Sequence, residues 1–306
     1  MNFALSDDQE SVLTGLEQLV QSQSTAPSGE PLTYSYAADL DAMLAQSGFL
    51  EIAREEGFGP LDAALVVERL ARLAPVVEAA ASALVAPILP VPAGIRPIAL
   101  VAGDGTGPAR FLPMARVLVI LRDDGASLVH LDGANIEPVE SLLAYPYGRL
   151  RSLEGLEIVE IEDVAVLRRR WRIAIAVEAA GCMAAALDAI LDHVKTRFAF
   201  GRPLGAFQAI QHRLAMAAET AESTKWLAFR AAWSDSEADA AGAACFAQSR
   251  IAQFTYDLHQ FSGAMGLTLE FPLHFWTYRL RALAGELGGA SAQARATAAA
   301  VWGAAA

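Results

Sequence analysis

The chain has few cysteines, a shortage of basic charge and no long uncharged apolar run, and each shortage argues against a class of function. Cys182 and Cys245 are the only cysteines in 306 residues, too few for a disulfide framework or a zinc site. Lysine and arginine number 23 against 35 acidic residues, a formal net charge of −12. Such a surface repels a polyanion, which argues against non-specific nucleic-acid binding. No run approaches the roughly 18 uncharged apolar residues that span a bilayer. The opening Met1-Asn2-Phe3-Ala4-Leu5-Ser6-Asp7-Asp8 lacks the basic and apolar regions of a signal peptide. The expectation is a soluble, oligomeric, cytoplasmic protein with no nucleic-acid or membrane partner and no metal.

Alanine is abundant. Hydrophobic residues make up 54% of the chain, and alanine supplies much of the excess, which suits close-packed helices and subunit contacts. Ser6 followed by Gln9 reads as a capping box, with Asp7 and Asp8 in the first helical turn. Val12, Leu13, Leu16, Leu19 and Val20 then mark one helix face ending near Gln23. Residues 24–31 read as a loop, and helical periodicity returns over 37–46, 61–73 and 75–84.

The pattern breaks at Ala86-Pro87-Ile88-Leu89-Pro90-Val91-Pro92, where prolines cannot continue a helix. Short apolar runs at 98–101, 116–121, 127–131 and 156–161 follow, bounded by turn residues, and read as a small, mostly antiparallel sheet. From Val164 the helical period resumes into Arg197, and two or three further long helices reach Ala299. The expected organisation is mainly α: a helical domain at 1–90, a small, truncated antiparallel β domain at 91–163, and a four-helix bundle at 164–306.

The two long helical patterns meet at Arg197-Phe198-Ala199-Phe200-Gly201-Arg202-Pro203-Leu204-Gly205-Ala206-Phe207-Gln208. Gly201 suits positive φ at a helix end and Pro203 an early helical position, so this is a corner between helices. Taken alone, Arg197 would cap the first of them. The full order Arg-x-x-Phe-Gly-x-Pro-Leu-x-x-Phe-Gln-x-Ile-Gln-His resembles the signature of the acyl-CoA dehydrogenase family. That resemblance implies that Arg197 and Gln208 reach the ADP part of an FAD held mainly by a neighbouring subunit, with Phe200 and Gly201 forming the turn. A guanidinium can fork onto pyrophosphate oxygens, and an amide both donates and accepts.

A second stretch, Gln260-Phe261-Ser262-Gly263-Ala264-Met265-Gly266-Leu267-Thr268-Leu269-Glu270, resembles the family's Gln-Ile-His-Gly-Gly-x-Gly-Phe-Thr-x-Glu. Gln260, Gly263 and Gly266 are kept, while Ser262 and Ala264 depart from it. The resemblance places Gln260 and Gly263 on the same ADP moiety. By itself the stretch is a glycine-punctuated helix break.

The middle of the chain departs from the family. The Thr-Glu-Pro-x-x-Gly-Ser-Asp stretch and the Trp-Ile-Thr strand that hold a family member's own isoalloxazine are absent, and Glu137-Pro138 lies on the wrong side of the strands. Dehydrogenation of an acyl-CoA also needs a carboxylate to take the α proton while the flavin accepts the β hydride. Gly288 falls at one family location of that base and Trp171 at the other. Glu286, two residues off, and Glu178, seven residues along the helix, are the remaining candidates.

Two readings follow. Either the chain is a reduced subunit in a hetero-oligomer with a larger acyl-CoA dehydrogenase that supplies the base and most of the flavin site, or it is a self-sufficient FAD enzyme, in a homo-oligomer, with a relocated carboxylate. Family pairings of a full with a reduced subunit act on bulky CoA esters such as steroid side chains. Among other features, Gly103-Asp104-Gly105-Thr106-Gly107 reads as a hairpin turn. Glu270 and His274, four apart, read as a surface hydrogen bond rather than a metal pair. Arg168, Arg169, Arg170 and Arg172 read as a solvated face pairing with Glu160 and Glu162, with CoA phosphates as the alternative.

Overall fold

Asp163 ends a loop by accepting a hydrogen bond from the Val166 amide, 3.0 Å, and so opens the helix around which the molecule is built, α4 (Val164–Thr196). The computed structural model describes residues 4–21 and 34–303; the loop expected at 24–31 and the end of the first helix near Gln23 lie outside them. By length and composition α4 could cross a membrane, yet 83% of its most apolar window is buried inside the fold. It is a core helix, covered by α3 (Pro60–Ala71), α5 (Gln208–Ser234), α6 (Glu237–Ser262) and α7 (Leu273–Leu283).

The bundle is completed by α8 (Gly289–Trp302), which packs along α6. Ahead of the sheet lie α1 (Asp7–Gln21) and α2 (Ala38–Ser47). The capping box forms as the sequence predicts: the Gln9 amide donates to Ser6 Oγ at 3.2 Å, and the Ser6 amide to Gln9 Oε1 at 3.0 Å. One apolar core runs from Leu13 and Leu16 on α1 through Val66 and Leu70 to Ile175, Leu258 and Leu283. The N-terminal helices and the bundle therefore share an interior. On α5, Met216 and Trp233 remain exposed.

Of the helix expected over 75–84, only the part from Ala80 onward forms, running on into a 3-10 turn at Ala86–Ile88. Arg279 donates to the carbonyls of Leu73, at 2.7 Å, Ala74 and Pro75, at 3.3 Å, and the last two are ones the first turn of that helix would use. Glu78 accepts from the amides of Ala81 and Ser82, and from Ile98 at the start of the sheet, 3.1 Å. The segment is thereby tied to the β region, with a single π turn at Ala81–Val85.

The β region holds two sheets. The first has the order β1 (Ile98–Ala102), β3 (Val117–Leu121), β4 (Ala126–His130) and β7 (Ile158–Glu160). It is antiparallel except that β1 and β3 run parallel, in register from Ile98↔Val117 to Ala102↔Leu121. The second, antiparallel sheet joins β2 (Ala109–Arg110), β6 (Tyr147–Leu150) and β5 (Ile136–Val139). Its strands are two to four residues long and leave no alternation to read in the sequence.

Candidate functional site

The corner forms at the C-terminus of α4. Arg197 follows the helix, its amide bonded to the His193 carbonyl at 2.8 Å, and a small hairpin, β8 (Phe198–Ala199) and β9 (Arg202–Pro203), turns the chain into α5. Phe200 and Gly201 sit at its tip with φ of 52° and 79°, the left-handed pair such a turn requires. Phe200 is 95% exposed. Arg197 and Gln208 are also exposed, and among the described residues neither side chain has a hydrogen bond or ion pair. The nearby His193 imidazole is held below its ordinary pKa, by burial and then by the Arg197 charge.

The glycine-punctuated stretch lies at the same end of the bundle. Arg213, near the start of α5, pairs with Asp257 near the end of α6 and lies 5.6 Å from the Phe261 ring centroid. His193 meets the Phe271 ring edge-on, with centroids 5.2 Å apart. These contacts put the corner and the glycine-punctuated stretch at one end of the bundle, where Arg197, Phe200, Gln208, Gln260 and Gly263 are exposed. Exposed guanidinium and amide groups, with a glycine at φ 58°, are of the kind that can receive a pyrophosphate.

The second cluster lies in the seam between the sheets and α4. Arg110 of β2 donates through Nη1 to Glu178 of α4, 3.0 Å, and pairs through Nε with Glu286 Oε1, 2.6 Å. Tyr145 donates to Glu178 Oε1 at 2.6 Å, and Trp171 Nε1 to Glu286 Oε2 at 2.8 Å. Burial works against the Arg110 charge, but the two carboxylates outweigh it and hold its pKa well above the ordinary value. Tyr145 is pushed well above its usual range by burial and then by Glu178. The cavity bordered by Arg110, Trp171, Glu178 and Glu286 has about 20 Å³, room for about one water. A three-ring flavin does not fit there.

Both base candidates are thus brought together, on either side of one guanidinium. The sequence reading missed Arg110 and Tyr145, because Arg110 stands in a stretch otherwise made of turn residues and its partner Glu178 is 68 positions away. The arginine cluster is structural, with other partners than Glu160 and Glu162. Arg169 and Arg170 pair with Asp235, and Arg172 with Glu237 and Gln293. His274 is not on the surface: it is 2% exposed, and both its ring nitrogens face other residues, Tyr34 and Leu269, rather than Glu270.

Residues 169–302 match the family model of the acyl-CoA dehydrogenase C-terminal domain. The acyl-CoA dehydrogenase IpdE2 of Mycolicibacterium smegmatis is 26% identical over 170 residues, 56% of this chain and 54% of that protein. The first two curated relatives are matched over only about a quarter to a half of their own length. Among solved structures, the ChsE4–ChsE5 complex of Mycobacterium tuberculosis superposes with a TM-score of 0.77 at 20% identity, covering 96% of this chain and 97% of that one. A variant of the Tcur3481–Tcur3483 steroid acyl-CoA dehydrogenase gives 0.76 at 21% identity, covering 97% and 98%. Residues 169–302 thus match an acyl-CoA dehydrogenase C-terminal domain, and the helical layer, small sheet region and C-terminal bundle give the chain the same fold as these solved structures.

Proposed function

We propose that the chain is the reduced subunit of a hetero-oligomeric acyl-CoA dehydrogenase, in which a larger partner supplies the catalytic base and most of the flavin site. The carrying observation is Arg110. It engages both carboxylates that could serve as base, in a seam with space for about one water. A carboxylate held in a short ion pair with a buried guanidinium is a poor acceptor for a substrate proton, since taking it would break the pair inside a low-dielectric site. FAD supplies a two-electron acceptor for the β hydride when it is bound. This chain's contribution is Arg197, Gln208, Gln260 and Gly263, which would hold the ADP part from across the interface, with Phe200 reaching toward the partner. The two heteromeric structural neighbours support the assembly, and the steroid enzyme among them supports a bulky CoA ester as substrate. The test is co-expression with a full-length acyl-CoA dehydrogenase from the same genome: flavin and turnover should belong to the complex.

One observation favours the self-sufficient alternative. Trp171 stands at a family base position and donates to Glu286, so that carboxylate lies beside the expected place. If the lone chain turns over an acyl-CoA, Glu286→Gln and Glu178→Gln identify which carboxylate serves.

A further inference from the structure

We propose that the cleft between α1, α3 and α5 binds a small apolar carboxylate, with Lys225 taking the carboxylate group, at a site separate from the acyl-CoA chemistry.

Three helices wall the cleft. Leu13 of α1, Leu61 and Leu65 of α3, and Trp226 and Phe229 of α5 line a space of about 260 Å³. Close-packed interiors leave few voids larger than a water molecule, so a hollow of this size is not ordinary packing. A cavity of about 150 Å³ with leucine and phenylalanine walls stays dry and takes a benzene ring, so this one has room for about ten non-hydrogen atoms. That is too small for a CoA ester. Apolar walls with a few placed polar groups are the usual form of a small-molecule site.

Most of the polar lining is already engaged. Gln9 accepts from the Ser6 amide at 3.0 Å and donates to Asp62 at 2.8 Å. Glu68, 1% exposed, holds Arg72 through Oε1 at 2.7 Å and Arg69 through Oε2 at 3.0 Å. The one carboxylate lining the cleft is therefore shared between two guanidinium groups. Arg69 Nε lies 3.4 Å from Glu17 and makes no hydrogen bond. The Lys225 ammonium pairs with Glu222, a solvated carboxylate with 60% of its side chain exposed. Such a surface pair is weak, and two carboxylate oxygens leave one of the three ammonium hydrogens over. In a chain of net charge −12 the cleft thus holds a local surplus of positive charge. Lys225 Nζ stands 5.1 Å from the Trp226 ring centroid, so the cation adjoins the apolar wall. The surplus charge selects an anionic head and the walls select an apolar tail. Lys225 is seventeen positions along α5 from Gln208, about 25 Å by helical rise, so the site does not rest on the proposed hetero-oligomer.

Isothermal titration calorimetry of the free chain with octanoate tests this. Octanoate should bind saturably, with a Kd below about 10 mM. Hexanoate should bind about tenfold more weakly, since each buried methylene is worth about fourfold in affinity. Octylamine, of the same length and opposite charge, should also bind at least about tenfold more weakly. Lys225→Met should weaken octanoate by about tenfold, the low end for a charge-assisted contact, and leave octan-1-ol unchanged. Leu61→Trp, on a partly exposed wall, should fill the cleft and abolish binding of both. Thermal melts establish that each variant is folded, and Lys225→Met decides the matter if Leu61→Trp does not fold. The proposal is overturned if octanoate does not saturate by about 10 mM, or if octylamine binds as tightly. It is equally overturned if octanoate affinity is unchanged in Lys225→Met or in folded Leu61→Trp.

Discussion

Arg110 lies between Glu178 and Glu286, 3.0 Å from one carboxylate and 2.6 Å from the other. One guanidinium therefore joins β2, α4 and the turn before α8, and holds both carboxylates singled out as candidate bases. The pairing ties the small sheet region to the helical core and occupies both carboxylates with one cation.

Removing Arg110 should destabilise the chain severely. Arg110→Met leaves the buried Glu178 and the partly buried Glu286 without their cation, and breaking a buried pair typically costs about 3–5 kcal/mol. Adding Glu178→Gln and Glu286→Gln should restore most of the loss, since neutral groups of similar volume carry no desolvated charge. Urea melts of the single and triple variants check this. A triple variant no more stable than Arg110→Met would show that the charges are not what matters.

Arg197→Ala should weaken flavin retention in the complex. Loss of a charge-assisted contact typically costs roughly 1.5–3 kcal/mol, about ten- to a hundredfold in affinity. Gln260→Ala should act more mildly, and Arg197→Lys should rescue only partly because a point charge lacks the planar fork. If Arg197 merely ended its helix, flavin content would stay constant and the free chain would melt slightly lower.

Cys182 is fully buried, its Sγ 3.6 Å from the Ala71 carbonyl, and burial pushes its pKa to about 12. Its folded value lies above the unfolded one of about 9, so the thiol's contribution to stability is present below pH 9 and lost as pH rises toward 12. Alkylation at pH 8 should modify Cys182 no faster than the fold opens, while Cys245, partly accessible, reacts first. Mass spectrometry of the alkylated peptides decides; prompt labelling of Cys182 would contradict the burial.

The exposed Met216, Trp233, Tyr256 and Phe200 form apolar surface of a kind that drives association. Light scattering should find the chain in a dimer or larger assembly. A monodisperse monomer over a wide concentration range would count against this.

The sequence made the long helices legible because their periodicity and caps are local: Ser6 with Gln9, and the run from Val164 into Arg197. The corner was legible for the same reason, since its residues are contiguous. The helix expected over 75–84 lost its first half because Arg279, about two hundred positions away, takes the Ala74 and Pro75 carbonyls that its first turn would have used. Arg110 was invisible on similar grounds: a two-residue strand carries no alternation, and the residue's role exists only once α4 is placed against it. Glu178 and Glu286 were both singled out, yet nothing in their local spacing announced that one cation would hold them together.

The most direct test is flavin absorbance per chain and acyl-CoA turnover, measured for the chain purified alone and with a full-length acyl-CoA dehydrogenase partner. The account predicts a colourless, inactive chain alone, and a yellow, active complex whose flavin falls in Arg197→Ala. A yellow lone chain carrying about one flavin and reducing an acceptor with acyl-CoA would contradict it.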